Sequence, residues 1–268
     1  MGRLEFPGYD AVGIRANNPG PLTLSGTNTW IYGREPSWLI DPGPALPEHL
    51  DAISEEIDER GGLGAVLLTH DHPDHAAAVP EIVARFSPVP LAAAGASVTS
   101  AGGLADGSVC AVTTLLQDGE RYGPFEVVAS PGHTPDHLVF VAGDLAFTGD
   151  AVLGEGSVFV SGQLGEYLGS LRLLQARHLS LIAPGHGPVV DDPAAQLSAY
   201  IDHRLARETA LVTALASGKR TIHDLLDAAW ADAPEHLRPA AAITLEAHLE
   251  KLASERRLPP GVERGGGG

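Results

Sequence analysis

Four residues able to bind a metal ion fall within six positions of Thr69-His70-Asp71-His72-Pro73-Asp74-His75: His70, His72, Asp74 and His75. Zinc takes neutral imidazole nitrogen and carboxylate oxygen in an open shell, and this segment offers both. Taken alone, a polar surface loop that binds nothing could have the same composition. Three later segments weigh against that: Pro131-Gly132-His133-Thr134, Thr148-Gly149-Asp150 and Pro184-Gly185-His186-Gly187 each set one His or Asp beside glycine. Glycine lets the backbone turn sharply, so that a single side chain is presented where a strand stops. The set amounts to five His and two Asp, which suits two metal ions sharing one carboxylate. Cys110 is the only cysteine, so neither an internal disulfide nor a thiolate zinc cluster can form, and nitrogen and oxygen must do the ligation.

Such ligands need elements that end where they are wanted. Residues 22–32, 37–40 and 65–69 read as strands, with turn chemistry in Asp41-Pro42-Gly43. Residues 47–60 carry Leu50, Ile53 and Ile57 on one helical face and stop at Gly61-Gly62. A second round follows, with strands at 125–129, 138–142, 145–148 and 179–183 and a helix over about 166–177. Beyond Pro188 the pattern turns helical: Asp192-Pro193 caps a helix with Leu197, Tyr200, Ile201 and Leu205 in register up to Gly218. Thr221 with Asp224 opens a short helix, and a last one is expected over 239–257. The division expected is a catalytic part over 1–190, a helical appendage over 191–264 and a flexible glycine tail over 265–268.

Composition limits the rest. At 44% apolar and 19% charged, 268 residues can bury a real core, and no run of eighteen apolar residues marks a membrane span. The chain reads as soluble and cytoplasmic, since it opens on no charged-then-apolar leader, and Phe6 stands where a myristoylation signal wants Ser or Thr. The net charge of -17 repels phosphate backbones, and it is uneven, because residues 1–206 hold 9 bases and 25 acids while 207–268 hold 8 and 9. RNA remains an alternative substrate, confined to the pocket rim and the nearly neutral appendage.

In order and spacing the ligand motifs resemble the metallo-β-lactamase superfamily over about residues 19–188. The resemblance implies an α/β fold, a four-layer αββα sandwich. In it His70, His72 and His133 hold one metal, Asp74, His75 and His186 the other, and Asp150 bridges. Asp41 then falls outside the ligand set and orients it. The stretches Asn18-Pro19-Gly20-Pro21-Leu22-Thr23-Leu24-Ser25-Gly26-Thr27-Asn28-Thr29, Gly149-Asp150-Ala151-Val152-Leu153-Gly154-Glu155-Gly156 and Tyr200-Ile201-Asp202-His203-Arg204 resemble the β-lactamase-like protein 2 subfamily more closely. That subfamily includes a mitochondrial endoribonuclease and polyketide-releasing thioesterases, and its members carry a winged-helix-like C-terminal domain. Here the wing shrinks to Leu258-Pro259-Pro260-Gly261-Val262, where adjacent prolines cannot both pair in a strand.

The implied chemistry is hydrolysis by a hydroxide held between two Zn²⁺ ions (Mn²⁺ or Fe²⁺ as alternatives), with Asp74 both ligating and orienting it. Charge favours a small ester or thioester. A mononuclear iron enzyme oxidising a thiol or persulfide is disfavoured by the complete second ligand set, and a non-catalytic nucleic-acid-binding protein by the intact ligands. His137 can donate a proton near the metals or serve as a buried structural histidine. His203 and Arg204 read as packing and salt-bridging residues, and Ser25 to Thr29 as pocket lining or a plain turn. His49, His178, His223, His236 and His248 are placed on helices without ligand partners.

Overall fold

Alternation of side chains along the strands builds the first unit. In Trp30-Ile31, Leu39-Ile40 and Val66-Leu67, neighbouring apolar residues leave opposite faces of one sheet, as the two-residue period of a strand requires. Trp30, Ile40 and Leu67 enter one core with Phe125, Phe140 and Phe147. Ile31, Leu39 and Val66 enter another, beneath Ile53, Ile57, Val79 and Ile82. The molecule is described by a computed structural model covering residues 2–6, 8–95, 97–98, 110–160 and 162–265.

The first sheet has the order β1 (Gly2–Glu5), β2 (Ala11–Arg15), β3 (Asn28–Tyr32), β4 (Ser37–Ile40), β5 (Leu63–Leu67), β6 (Leu91–Ala93), β9 (Thr114–Leu115). It is antiparallel through β4 and parallel from β4 to β9. β7 (Ser97–Val98) and β8 (Cys110–Ala111) form a separate short pair. The second sheet runs β10 (Arg121–Tyr122), β11 (Phe125–Ala129), β12 (Leu138–Ala142), β13 (Leu145–Gly149), β14 (Leu181–Pro184), antiparallel except where β13 meets β14. α1 (Pro47–Glu59) and α3 (Val79–Phe86) supply the helical cover of the Ile31 core, and α2 (Pro73–Ala76) is a single turn. Tyr32, Phe125 and Phe147 meet at ring separations of 5.3 to 5.9 Å in the other core.

Among the described residues, a second unit comprises 130–135, 157–160, 162–178 and 192–265. It contains α4 (Leu164–Gln175), α5 (Pro193–Ala216), α6 (Ile222–Ala229) and α7 (Arg238–Ser254), with Leu211, Leu215, Leu225, Trp230, Leu245 and Leu249 in its core. Asp192 and Thr221 cap α5 and α6 as their sequence contexts require, accepting from the Ala195 and Asp224 amides at 3.0 and 3.1 Å. Among the described residues no strand follows α7, in keeping with the proline pair there, and no helix is long and apolar enough to cross a membrane. The glycines 266–268 lie outside the described residues.

Two expectations are corrected. The strand expected over 22–32 starts only at Asn28, because Thr23 donates to the Asn18 carbonyl and Leu24 takes φ 54°, folding the earlier residues into a turn. His178 is not helical, since α4 stops at Gln175 and His178 has φ 51°. β1, β2, β6, β9 and α3 were not read from the sequence, as each is short or lacks turn residues to mark it.

Phe140 is fully buried among aromatic and aliphatic neighbours. Phe140→Ala is expected to cost about 3–5 kcal/mol in urea unfolding, the range for emptying a buried phenylalanine site.

Candidate metal centre

The ligand-bearing loops leave strands at their C-terminal ends. β5 stops at Leu67, five residues before His72, whose backbone starts α2. β13 ends at Gly149, immediately before Asp150, and β14 ends at Pro184, two residues before His186. Two glycines make the convergence possible. A Cβ on Gly149 (φ +47°) would lie 2.3 Å from the Thr69 hydroxyl, and one on Gly185 would lie 2.6 Å from Asp150 Oδ1 and 2.7 Å from His75 Cε1.

Four donor atoms meet there. His75 Nε2 lies 3.3 Å from His186 Nε2, 3.4 Å from Asp74 Oδ2 and 3.4 Å from Asp150 Oδ1. His186 Nε2 lies 3.2 Å from Asp74 Oδ2 and 3.4 Å from Asp150 Oδ1. Asp74 Oδ2, His75 Nε2 and His186 Nε2 form a compact triad of ligand atoms, and Asp150 Oδ1 adjoins both ring nitrogens. Imidazole nitrogen and carboxylate oxygen brought together in this way are a donor set that fits a divalent cation. Next to it, His70 Nε2 and His72 Nδ1 are 3.1 Å apart, and the His70 and His75 rings are separated by 4.3 Å.

Asp41 sets how these rings point. Its carboxylate accepts from the Thr69 amide (2.8 Å), the Thr69 hydroxyl (2.7 Å) and His75 Nδ1 (3.0 Å). With its proton committed to Asp41, Thr69 Oγ1 can only accept at 2.9 Å from His70 Nδ1. Both imidazoles thus carry hydrogen on Nδ1 and keep an Nε2 lone pair for a metal. Asp41 does this from a left-handed backbone (φ 51°) that a non-glycine residue rarely adopts, a local cost retained where ligands are oriented.

Burial opposes charge on every one of these donors, yet their mutual attraction prevails. His75 and His186 hold the Asp150 carboxyl well below its ordinary value, and His186 and His75 draw Asp74 down to about 2. Asp150 and Asp41 lift His75 well above its ordinary value, while Asp150 and Asp74 lift His186 to about 9. Protons and a divalent cation compete for the same nitrogen lone pairs, so metal uptake must expel protons.

The other sequence candidates fall as follows. His137 is buried, stacks on His70 at 4.9 Å, and its Nε2 accepts from the Asp150 amide at 3.2 Å. His133 belongs to the second unit, where its Nδ1 is 3.1 Å from the Phe159 carbonyl. Arg204, also there, is buried with Nη2 on Ser157 Oγ and the Val158 carbonyl and its guanidinium 5.8 Å from the Tyr167 ring, while His203 is exposed. His49 and His248 are buried and His223 is exposed. Sequence reasoning missed Thr69 as the link between Asp41 and His70, and missed what Thr27 and Asn28 hold.

The family model described as the metallo-beta-lactamase superfamily matches residues 22–186. The chain belongs to that superfamily. A second model, the beta-lactamase associated winged helix domain, matches residues 221–258. An atrochrysone carboxyl ACP thioesterase of Aspergillus chevalieri is 32% identical over 94% of this chain and 85% of its own length. A beta-lactamase-like protein 2 homolog of Drosophila melanogaster is 31% identical over 90% of this chain and 87% of its own. The crystal structure of a beta-lactamase domain protein from Burkholderia ambifaria shares the fold, with TM-score 0.76 at 21% identity over 97% of this chain and 91% of that one. The chain is accordingly a metal-dependent hydrolase of the metallo-beta-lactamase fold with a C-terminal winged helix domain.

Two outcomes follow from the geometry. Gly185→Ala should lower turnover by about 100-fold and reduce bound metal, since a displacement near 1 Å is enough for such a loss; turnover and metal content of the folded variant test it. Because His186 holds a proton below about pH 9, loading zinc at pH 7 should release protons, and affinity should fall as pH is lowered. Titration calorimetry in buffers of different ionisation enthalpy reads that release directly.

Proposed function

We propose that this chain is a binuclear zinc hydrolase acting on a small ester or thioester. The observation that carries the proposal is the convergence of Asp74 and Asp150 on the paired His75 and His186 nitrogens at separations of 3.2 to 3.4 Å. In this proposal those residues hold one ion, with Asp150 shared, and His70, His72 and His133 hold the other. Bound there, a pair of divalent ions would bring the pKa of a coordinated water to about 7 and polarise the oxygen under attack.

The chain's own residues do the rest. Asp41 and Thr69 keep the His70 and His75 lone pairs directed inward. His137 spends its Nε2 lone pair on the Asp150 amide, so its part is to hold Asp150 in place rather than to pass a proton from that atom. Asp74 has 28% of its side chain open, against 11% for Asp150 and 0–1% for the two histidines. It is therefore the donor placed to accept a hydrogen bond from the attacking water and orient it as well as to ligate.

The substrate class rests on two supports. A relative matched over 85% of its own length is named an atrochrysone carboxyl ACP thioesterase. The acids of residues 1–206 outnumber the bases 25 to 9, a balance that opposes a phosphate backbone. Tests on the purified protein are metal analysis, then hydrolysis of acyl-thioesters, esters, lactones, a cephalosporin and single-stranded RNA, with and without chelator. Chelator-sensitive thioester or ester hydrolysis with zinc bound is the expected result. RNA cleavage without ester hydrolysis would reassign the substrate, and iron with thiol oxidation would reassign the reaction. Asp74→Ala should reduce turnover at least about 100-fold with the fold retained by circular dichroism.

A further inference from the structure

Thr27, Asn28 and Thr29 are all buried to 0% exposure, and buried polar groups of this kind must be paired. Asn28 is spent on backbone, its Nδ2 donating to the Pro184 and Gly187 carbonyls at 3.0 Å while Arg15 Nε donates to its Oδ1. Thr29 donates to the Asp41 carbonyl at 2.7 Å. Thr27 differs, because its Oγ1 lies 3.2 Å from Asp74 Oδ2, one of the four converging donors.

The direction of the Thr27 proton follows from its other partner. The Thr27 amide can only donate, and at 2.9 Å its acceptor is Asn18 Oδ1. That fixes the orientation of the Asn18 amide and turns its Nδ2 toward Thr27 Oγ1, 3.0 Å away, where it can only donate. The Asn18 backbone is held in turn by the Thr23 hydroxyl, 2.6 Å from the Asn18 carbonyl. Thr27 Oγ1 has one hydrogen, and with Asn18 occupying a lone pair the acceptor in reach is Asp74 Oδ2.

We infer that Thr27 is a positioning residue of the metal centre, with Asn18 aiming its hydroxyl proton at Asp74 Oδ2. The inference rests on the proposed role of Asp74 as a ligand. The hydrogen bond restrains rotation of the carboxylate and presents the same oxygen to the neighbouring imidazoles. Outer hydrogen bonds of this kind commonly change metal affinity by about 10- to 100-fold.

Zinc affinity measured by competition with a chromogenic chelator tests this for the wild type, T27V, T27S and N18A. The melting temperature of each chelator-treated protein is measured alongside, so that lost affinity is separated from lost fold. Valine keeps the volume of threonine without the hydroxyl, and serine keeps the hydroxyl. T27V should bind zinc about tenfold more weakly and lower kcat with little change in KM. T27S should restore both. N18A touches none of the four donors, so its expected loss of affinity can act only through Thr27, and it carries the test should T27V fail to fold. Unchanged affinity in T27V, equal losses in T27S and T27V, or wild-type affinity in N18A would each overturn the inference. Failure of the wild type to bind zinc would overturn the ligand assignment of Asp74 itself, a separate result.

Discussion

Two carboxylates are each held within 3.4 Å of two imidazole nitrogens where the strands of the first unit end, and the rest of that unit is organised by that constraint. Isolated in a low-dielectric interior, carboxylates so placed would repel each other and lose their hydration. Positive charge at their centre offsets both costs. Protons on His75 and His186, both drawn upward by the carboxylates beside them, supply it in part, and a divalent cation would supply it more fully. A cation bound there would therefore stabilise the fold that gathers these donors.

Holding such a set requires loops that cannot drift. Parallel pairing of β4 with β5 and of β13 with β14 carries ligand loops out of the sandwich, and backbone hydrogen bonds from Asn28 to Gly185 and from Gly185 to Gly149 tie those loops together. The Trp30 indole donates to the Pro184 carbonyl at 3.0 Å, so a large core residue also anchors the strand end next to His186. Core packing and ligand geometry are in this sense one problem, solved with the same residues.

The candidate ligands were readable in sequence because few residue types bind metals and because glycine marked the turns beside His133, Asp150 and His186. The strands 37–40, 125–129 and 138–142 were readable from their apolar runs and bounding turns. The orienting residues were less visible. Thr27 and Asn28 act on partners 47 and 156 residues away, and nothing local separates them from ordinary strand or turn residues. The run 22–32 misled for a related reason: Leu22 and Leu24 imitate strand alternation, but Leu22 is exposed and Leu24 sits in a turn. Asp41 was recognisable from its turn and its place in the family pattern, whereas its control of two ring tautomers needed Thr69 in three dimensions.

The central claim is that the four converging donors enclose a divalent cation. Crystals of the purified protein, with diffraction recorded above and below the zinc absorption edge, address it most directly. The account predicts an anomalous peak among Asp74, His75, Asp150 and His186, and a second one beside His70 and His72. Zinc-loaded, catalytically active protein with no peak among those four residues would contradict it.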